Sequence, residues 1–372
     1  MRNLDWRTMK NVVVAGLLSL FALAIGGCGG SGGVQGKSVK PLPRIRIGRY
    51  ASPSVGTVFE NPDNIGKHSY GGGGGEKKGI VYTCKAGHID LAHTRKSADW
   101  TAYLYENFAD RMKKKATQFS FKFREPTRYY IELTYPNNWD SLPQNEKDRI
   151  IKDVSVRLAE YGAYVGTMWH EMLTWFGYKS LGLWSEFQSA FAWEDTFSDL
   201  FGTYMAGKAL RDAEHDYDEA MTIALDRELA ELNAQPKQVA VHASKSVAGQ
   251  WFSGDFAWMN MKARNFDIGV DDGYITPWLV PGLAQCQGAK PRPYPAPNLD
   301  AIGQHGFKVK FELDPRVSQK GKIFKIVWPD KNQRQERLIP ALHFAAIMNY
   351  ITKDAVEKHG IRTSPDFVTS EK

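Results

Sequence analysis

The chain has 372 residues, of which 42% are hydrophobic and 12% aromatic, and this composition excludes a disordered or fibrous protein. Its formal net charge is +7 and becomes +5 without residues 1–27, which contain three basic side chains and one acidic one. The basic residues do not cluster with aromatic residues as they do on nucleic-acid surfaces, so we expect no nucleic-acid partner.

The first residues have the pattern of a bacterial export signal. A positive stretch with Arg2, Arg7 and Lys10 precedes an apolar segment, residues 12–25, that is short for a membrane span. The sequence Ile-Gly-Gly-Cys at 25–28 then resembles a lipobox, the motif in which the cysteine becomes the lipidated N-terminus. We therefore predict a lipoprotein signal peptide over residues 1–27 and lipidation of Cys28.

The residues after Cys28 indicate where the protein is held. Residue 29 is glycine, whereas aspartate at this position favours retention in the inner membrane. We expect an outer-membrane lipoprotein that faces the periplasm and is attached to the membrane by its lipid anchor. Residues 28–43 are rich in Gly, Ser and Pro and predict a flexible tether, and residues 44–366 are expected to form a single α+β body.

Two further cysteines, Cys84 and Cys286, lie far apart in the sequence. In an oxidising compartment they could form a disulfide that ties the two parts of the body together. Two buried free thiols are the alternative, and the sequence leaves both open.

Hydrophobic periodicity predicts a helix-rich α+β fold with two hairpins. Predicted strands are 45–50, 80–84, a hairpin of 119–123 with 129–135, and a second hairpin of 307–313 with 322–328. Predicted helices are 90–115, one from about 143 towards the segment around residue 170, 217–232, and 338–358. Asp90 can cap the first helix. Gly162 and Gly166 permit either a break or close helix packing.

A further helix is predicted to start near Glu186, because Ser185 and Gln188 resemble a capping box. On this helix Glu194 shares an aromatic face with Phe197, whereas Asp195 and Asp199 lie roughly opposite. A carboxylate buried on such a face costs several kcal/mol unless a partner meets it. The partner is either an arginine or lysine, such as Arg95 or Arg211, or a ligand.

His170 and Glu171 are adjacent on the preceding helix, about 100° apart. Such neighbours do not easily bind one metal together, but one can ligate it while the other acts as general base on a bound water. A core histidine that donates to a carbonyl is the alternative.

These two helices together resemble those of the thermolysin-like zinc peptidases, the zincins. The resemblance rests on His-Glu-Met-Leu-Thr at 170–174 and on Glu-Asp-Thr-Phe-Ser-Asp-Leu-Phe-Gly-Thr at 194–203. It implies that His170 and Glu194 bind Zn²⁺ and that Glu171 is the general base. The alignment places Asp195 at the glutamate ligand, whereas the helical face favours Glu194. Thr174 occupies the position of the second zinc histidine, and a hydroxyl is a poor ligand there.

The missing ligand has candidates at a predicted strand-to-helix junction, where active-site groups are common. His88, Asp90 and His93 lie within six residues of one another. Either histidine could complete a three-ligand zinc site with an open position. Alternatively, Asp90 is only a helix cap, and the histidines belong to the core or the surface.

The order of motifs is similar to that of an uncharacterised bacterial lipoprotein family, a domain of unknown function. The motifs are Gly-His-Ile-Asp at 87–90, Trp-His-Glu at 169–171, Trp-Glu-Asp at 193–195 and Asp-Ile-Gly at 267–269. This resemblance implies one domain that contains both histidine motifs. Our leading hypothesis is a zinc-dependent hydrolase of the envelope, acting on a peptide or cell-wall polymer. The rival is a non-catalytic lipoprotein, structural or partner-binding, with a degenerate zincin-like fold.

Overall fold

The helices and strands come from a computed structural model that describes residues 40–53, 56–73, 75–179, 186–254 and 259–366. The predicted signal peptide, Cys28, nearly all of the predicted tether, and Ser185 lie outside the described residues. The described residues form one compact unit. In the described ranges, no helix combines the length and apolarity that a membrane span requires.

Long helices dominate the described residues. They are α1 (Leu91–Lys113), α2 (Gln144–Trp175), α3 (Asp195–Arg211), α4 (Tyr217–Glu231), α5 (Lys237–Ser246), α6 (Lys320–Val327) and α7 (Pro340–His359). The helices α1, α2 and α3 contact one another, and α4 packs on α3. This three-helix centre positions most of the candidate site residues.

The strands form small antiparallel sheets at the edges of the helices. They are β1 (Ile80–Thr83), β2 (Gly87–Asp90), β3 (Gln118–Phe121), β4 (Thr127–Thr134), β5 (Ala234–Gln235), β6 (Phe252–Ser253), β7 (Asn260–Met261), β8 (Tyr274–Ile275), β9 (Tyr294–Pro295) and β10 (Lys308–Pro315). One sheet has the order β2-β1-β5 and another β10-β4-β3, while β6 pairs with β7 and β8 with β9. Together with the helices they confirm the predicted α+β class.

Local sequence signals explain the helices that were predicted well. Asp90 caps α1, because its side chain accepts hydrogen bonds from the backbone N–H groups of Ala92 and His93. Asp216 caps α4 in the same way. The helix α2 is continuous through Gly162 and Gly166, and a Cβ at Gly166 would lie 2.0 Å from the Phe123 ring. These glycines therefore serve close packing.

The core consists of two hydrophobic clusters. The larger one joins α1, α2, α3, α7 and the sheet around β4. The smaller one includes Tyr82, Trp193, Trp251 and Trp278. Beside it, Cys84 and Cys286 form a disulfide that links the end of β1 to the C-terminal third of the chain.

Three element predictions are wrong. Residues 45–50 form no strand: Ile45 is 61% and Ile47 51% exposed, and Arg46 is the buried residue. Residues 322–328 lie mostly in α6, because Ile323, Phe324 and Val327 follow helical spacing, and β10 instead pairs with β4. The helix α3 begins at Asp195, not near Glu186, so Glu194 occupies the N-cap position rather than a helical face.

Candidate functional site

Seven polar side chains meet where α1, α2 and α3 pack, and we call them the acidic cluster. They are Asp90, His93, Lys96, Glu171, Glu194, Asp195 and Asp199. Asp90 ends β2, His93 and Lys96 lie on the first two turns of α1, and Glu171 lies near the end of α2. The remaining three come from the start of α3 and its N-cap. Five carboxyl groups therefore face two cationic side chains.

His93 lies between two carboxylates. Its Nδ1 is 3.1 Å from Asp90 Oδ2 and 3.1 Å from Asp195 Oδ1, although the ring N–H is aligned with neither oxygen. Burial and Lys96 lower the pKa of His93, but Asp195, Asp90 and Asp199 outweigh them and raise it well above its usual range. The neighbouring carboxylates therefore stabilise the protonated form of this imidazole.

The segment before β1 covers this histidine. A Cβ at Gly48 would lie 2.4 Å from Cε1 and Nε2 of His93, so only glycine fits at this distance. The next residue, Arg49, donates its backbone N–H to Asp90 Oδ2 at 2.5 Å. His93 keeps 15% of its side chain exposed, so solvent still reaches the cluster.

Glu194 is buried with one oxygen bound and one free. Its Oε1 accepts the backbone N–H of Ala51 at 2.6 Å, whereas Oε2 has no hydrogen-bond partner among the described residues. Burial and the neighbouring Asp195 raise the pKa of Glu194 well above its usual range. The arginines considered as partners lie elsewhere: Arg95 binds the carbonyls of Ile65 and Gly66, and Arg211 pairs with Glu160.

Glu171 is also buried, and its Oε2 accepts the backbone N–H of Phe191 at 2.8 Å. Phe191 has a φ of 55°, a left-handed conformation that is strained for an aromatic residue and is found mainly where surrounding contacts enforce it. Burial and Asp195 raise the pKa of Glu171 to about 8. At neutral pH this carboxyl group therefore carries a proton.

Asp199 and Lys96 complete the cluster. Lys96 Nζ lies 3.4 Å from Asp199 Oδ1, which also accepts the hydroxyl of Ser97 at 2.5 Å. Asp199 Oδ2 is buried and has no partner in the described part of the chain. Burial lowers the pKa of Lys96, but Asp199 and Glu171 outweigh this and raise it. Lys96 is therefore a permanent cation.

The other two candidate histidines differ in position. His170 is half-buried, and burial together with the positive charge of Lys96 lowers its pKa to about 4. It is therefore a neutral imidazole beside the cluster. His88 lies instead in the smaller hydrophobic cluster, where its Nε2 is 3.3 Å from the carbonyl of Ala240 and its ring packs against Tyr82. The structure thus brings His93 and His170 towards the carboxylates, and not His88.

The ligand set expected for zinc is not assembled. Among the described residues, no three His, Cys, Asp or Glu side chains are arranged to hold a metal ion. His170, Glu194 and His93 lie in one region, but their ligating atoms do not converge.

Sequence reasoning missed two cations of this region. Lys96 follows His93 by three residues on α1, and this helical spacing could have identified it. Arg264 had no such signal, because a loop far along the chain carries it to α2. It is 0% exposed, and its Nη1 donates to the carbonyls of Phe187, at 2.8 Å, and Ala190.

The fold and the site together define an α+β protein with a carboxylate-rich polar site buried between three helices. The chain belongs to the protein family of unknown function DUF4056, whose profile matches residues 45–269, more than half of the chain. The matched range contains the whole acidic cluster and Arg264. No curated protein and no solved structure matches the chain significantly.

Proposed function

We propose that the protein is a metal-dependent hydrolase whose active site is the acidic cluster. One observation carries this proposal: two buried carboxylate oxygens, Glu194 Oε2 and Asp199 Oδ2, have no partner in the described residues. Buried polar atoms without partners are rare in folded proteins, because each loses its hydration without replacement. A cation is the partner that two such oxygens favour most.

The balance of charge supports the same conclusion. Five carboxyl groups face only His93 and Lys96, and burial raises the pKa of Glu171, Glu194 and Asp195. A divalent cation would favour the ionised carboxylates and remove this imbalance. Since no three ligands converge in the described residues, the ion would have to draw them together by side-chain rotation.

Each group has a role in this proposal. Glu194, Asp199 and an imidazole, His93 or His170, would bind the ion, and zinc accepts this mixture of nitrogen and carboxylate ligands. Glu171, held by the Phe191 N–H, would be the general base, because the charge of the bound cation would favour its ionised form over the protonated form that burial favours. With Cys28 lipidated as its sequence suggests, the substrate would be an envelope peptide or cell-wall polymer.

A non-catalytic envelope lipoprotein is the second candidate. It is favoured by the position of His93, whose Nδ1 lies 3.1 Å from both Asp90 and Asp195, as in a structural ion-pair network. In that case the acidic cluster would only hold α1 against α3, and the protein would act by binding a partner.

Elemental analysis of the full chain, purified without a histidine tag, distinguishes the two candidates. We expect near-stoichiometric zinc in the wild type and its loss in Glu194→Gln and Asp199→Asn. Glu160→Gln, an acidic residue paired at the surface, is the matched control and should keep the metal. A folded wild type that contains no metal after zinc is supplied would rule out the hydrolase. Glu171→Gln should keep the metal and lose hydrolysis.

A further inference from the structure

Arg264 carries an unused pair of hydrogen-bond donors. Its Nε and Nη2 are buried and have no partner among the residues that the structure describes. These two N–H groups point in parallel from one edge of the guanidinium, and this edge matches the two oxygens of a carboxylate. A guanidinium edge of this kind has the geometry to bind a planar anion through two parallel hydrogen bonds.

The opposite edge of Arg264 is fixed. Nη1 donates to two carbonyls of the turn 187–191, and the guanidinium carbon lies 5.0 Å from the Phe187 ring centroid and 5.5 Å from that of Trp175. These contacts hold the guanidinium in one orientation before any ligand arrives.

The same turn joins Arg264 to the acidic cluster. Ala190 accepts from Arg264, and the next residue, Phe191, donates its N–H to Glu171. Tyr50 also interacts electrostatically with Arg264, and it precedes Ala51, whose N–H binds Glu194. Burial lowers the pKa of Arg264 to about 10, while Tyr50, Glu171 and Asp195 act in the opposite direction. Arg264 thus remains charged and lies beside the proposed base.

We propose that the Nε and Nη2 groups of Arg264 bind a carboxylate group of the substrate. The choice of substrate class rests on the proposed function: an acylated amino acid or a peptide whose free α-carboxylate is next to the amide bond that is cleaved. Glu171 would take a proton from the attacking water and pass it to the leaving nitrogen. The C–N bond breaks, water supplies the new C–O bond, and the products are an acid and an amine.

The surroundings favour a carboxylate over other anions. Glu171 and Asp195 lie near Arg264, so a dianionic phosphate would meet more repulsion than a singly charged carboxylate. The nearby carboxyl group of Glu171 already has one oxygen bound, by the backbone N–H of Phe191. The aromatic rings of Trp175 and Phe187 keep water from the bound pair and so strengthen it.

Calorimetry with the full chain tests this proposal. The probes are N-acetylalanine, its uncharged amide N-acetylalaninamide, and inorganic phosphate. We expect the acid to bind at least tenfold more tightly than the amide and more tightly than phosphate. In Arg264→Lys, which keeps the charge but loses the fork, affinity for the acid should fall at least tenfold. Arg95→Lys is the matched control, because Arg95 is equally buried but has a hydrogen-bond partner for each of its three nitrogens, and it should bind like the wild type.

A second measurement avoids dependence on the folding of Arg264→Lys. The Nε–H resonance of Arg264 in the wild type should shift on addition of N-acetylalanine and not on addition of the amide. Equal binding of acid and amide, tighter binding of phosphate, or an unmoved Arg264 resonance would overturn the carboxylate subsite.

The experiments can refute the carboxylate subsite and the hydrolase proposal independently. If the acid binds to Glu171→Gln and wild type alike but no peptide is cleaved, the subsite stands and the hydrolase proposal fails. If peptides are cleaved without preference for a free carboxylate, the subsite is wrong and the hydrolase remains.

Discussion

Two buried polar networks lie on different sides of α1, and they are built on opposite principles. The first, which we call the arginine network, consists of Arg46, His68, Glu76, Arg95 and Asp99. Arg46 binds Glu76 through two parallel hydrogen bonds of 3.0 Å and Asp99 through one of 2.5 Å. His68 links Asp99 to Arg95, accepting on Nδ1 and donating from Nε2.

The arginine network is balanced, whereas the acidic cluster is not. Two arginines face two carboxylates around the imidazole of His68, and every nitrogen and carboxylate oxygen of these five side chains has a partner. In the acidic cluster five carboxyl groups face one lysine and one histidine, and two carboxylate oxygens have no partner in the described residues. Both networks are buried, so they differ in the balance of charge and in how many of their polar atoms have partners.

This difference indicates separate roles. A satisfied network fixes structure, since it holds the segment around residues 46–78 against α1. A buried network in which carboxylate oxygens lack partners and carboxyl pKa values are raised destabilises the fold. Such destabilising groups are typical of sites that bind a ligand or transfer a proton. The predictions below test that division of roles.

The largest effect should come from removing Arg46. Arg46→Met leaves Glu76 and Asp99 buried without their main partner, and breaking a buried pair in this way lowers the free energy of unfolding by about 3–5 kcal/mol. Urea denaturation measures this loss. Arg211→Met is the control: Arg211 pairs with Glu160 at the surface and is 39% exposed, so it should lose at most about 1 kcal/mol. Equal losses in both variants would contradict the structural role.

A Glu→Gln substitution should lower the free energy of unfolding in the arginine network but not in the acidic cluster. Glu76→Gln replaces a carboxylate that binds Arg46, and we expect the free energy of unfolding to fall by about 1–3 kcal/mol. Glu194→Gln replaces a carboxyl group whose ionised form is disfavoured by burial and Asp195, so stability should stay unchanged or rise. Denaturation of both variants at pH 7, with a chelator present so that metal binding does not contribute, decides this. A loss in Glu194→Gln as large as that in Glu76→Gln would refute the contrast.

The raised pKa of Glu171 predicts a dependence of stability on pH that we do not expect from the arginine network. Its pKa is about 8 in the fold against 4.5 ordinarily, so between these values the folded protein keeps a proton that the unfolded chain releases. Stability therefore falls as pH rises, by up to about 1.4 kcal/mol per pH unit for one proton. His93, whose pKa is also raised, adds to the fall.

Comparison of the wild type with Glu171→Gln between pH 7 and 8 separates the contribution of Glu171, because the other groups with raised pKa values, His93, Glu125 and Glu194, are present in both proteins. The pKa values of His88 and His170 are lowered to about 4, and their opposite contributions, also common to both proteins, fade as the pH rises above about 6.5. Denaturation across this range should show a clear slope in the wild type and a smaller one in Glu171→Gln. An unchanged slope in the variant would show that Glu171 is ionised in the folded protein.

The sequence predicts those parts of the fold whose signals are local. The helices α1, α4 and α7 have regular apolar periodicity, and α1 has its cap at Asp90, so they were predicted within a few residues. The hairpin of β3 and β4 has an equally local pattern. The start of α3 was missed because distant groups, Arg264 and Glu171, shape the turn before it.

Around the candidate site, too, some residues have a local sequence signal and others depend on distant contacts. Its carboxylates could be found because acidic residues stood among apolar and aromatic ones on two neighbouring helices. The burial of Arg46 could not be found, because its main partners, Glu76 and Asp99, lie 30 and 53 residues further along the chain. Arg264 depends in the same way on carbonyl groups 77 and 74 residues before it. Long-range polar contacts of this kind leave no periodic pattern.

A small effect on stability, and a selective effect on the acidic cluster, should come from Gly48→Ala. The new Cβ would overlap the His93 ring, where Cε1 and Nε2 lie 2.4 Å away, and would force the imidazole from Asp90 and Asp195. Without these neighbours the pKa of His93 should fall towards its usual range, as an NMR titration would show. Because residues 41–50 form no regular element, we expect less than about 1 kcal/mol of lost stability. Gly303→Ala, with open space around its Cβ, should change neither quantity. An unaltered His93 titration in Gly48→Ala would mean that the backbone around residue 48 moves away from the new methyl group and does not fix the position of the His93 ring.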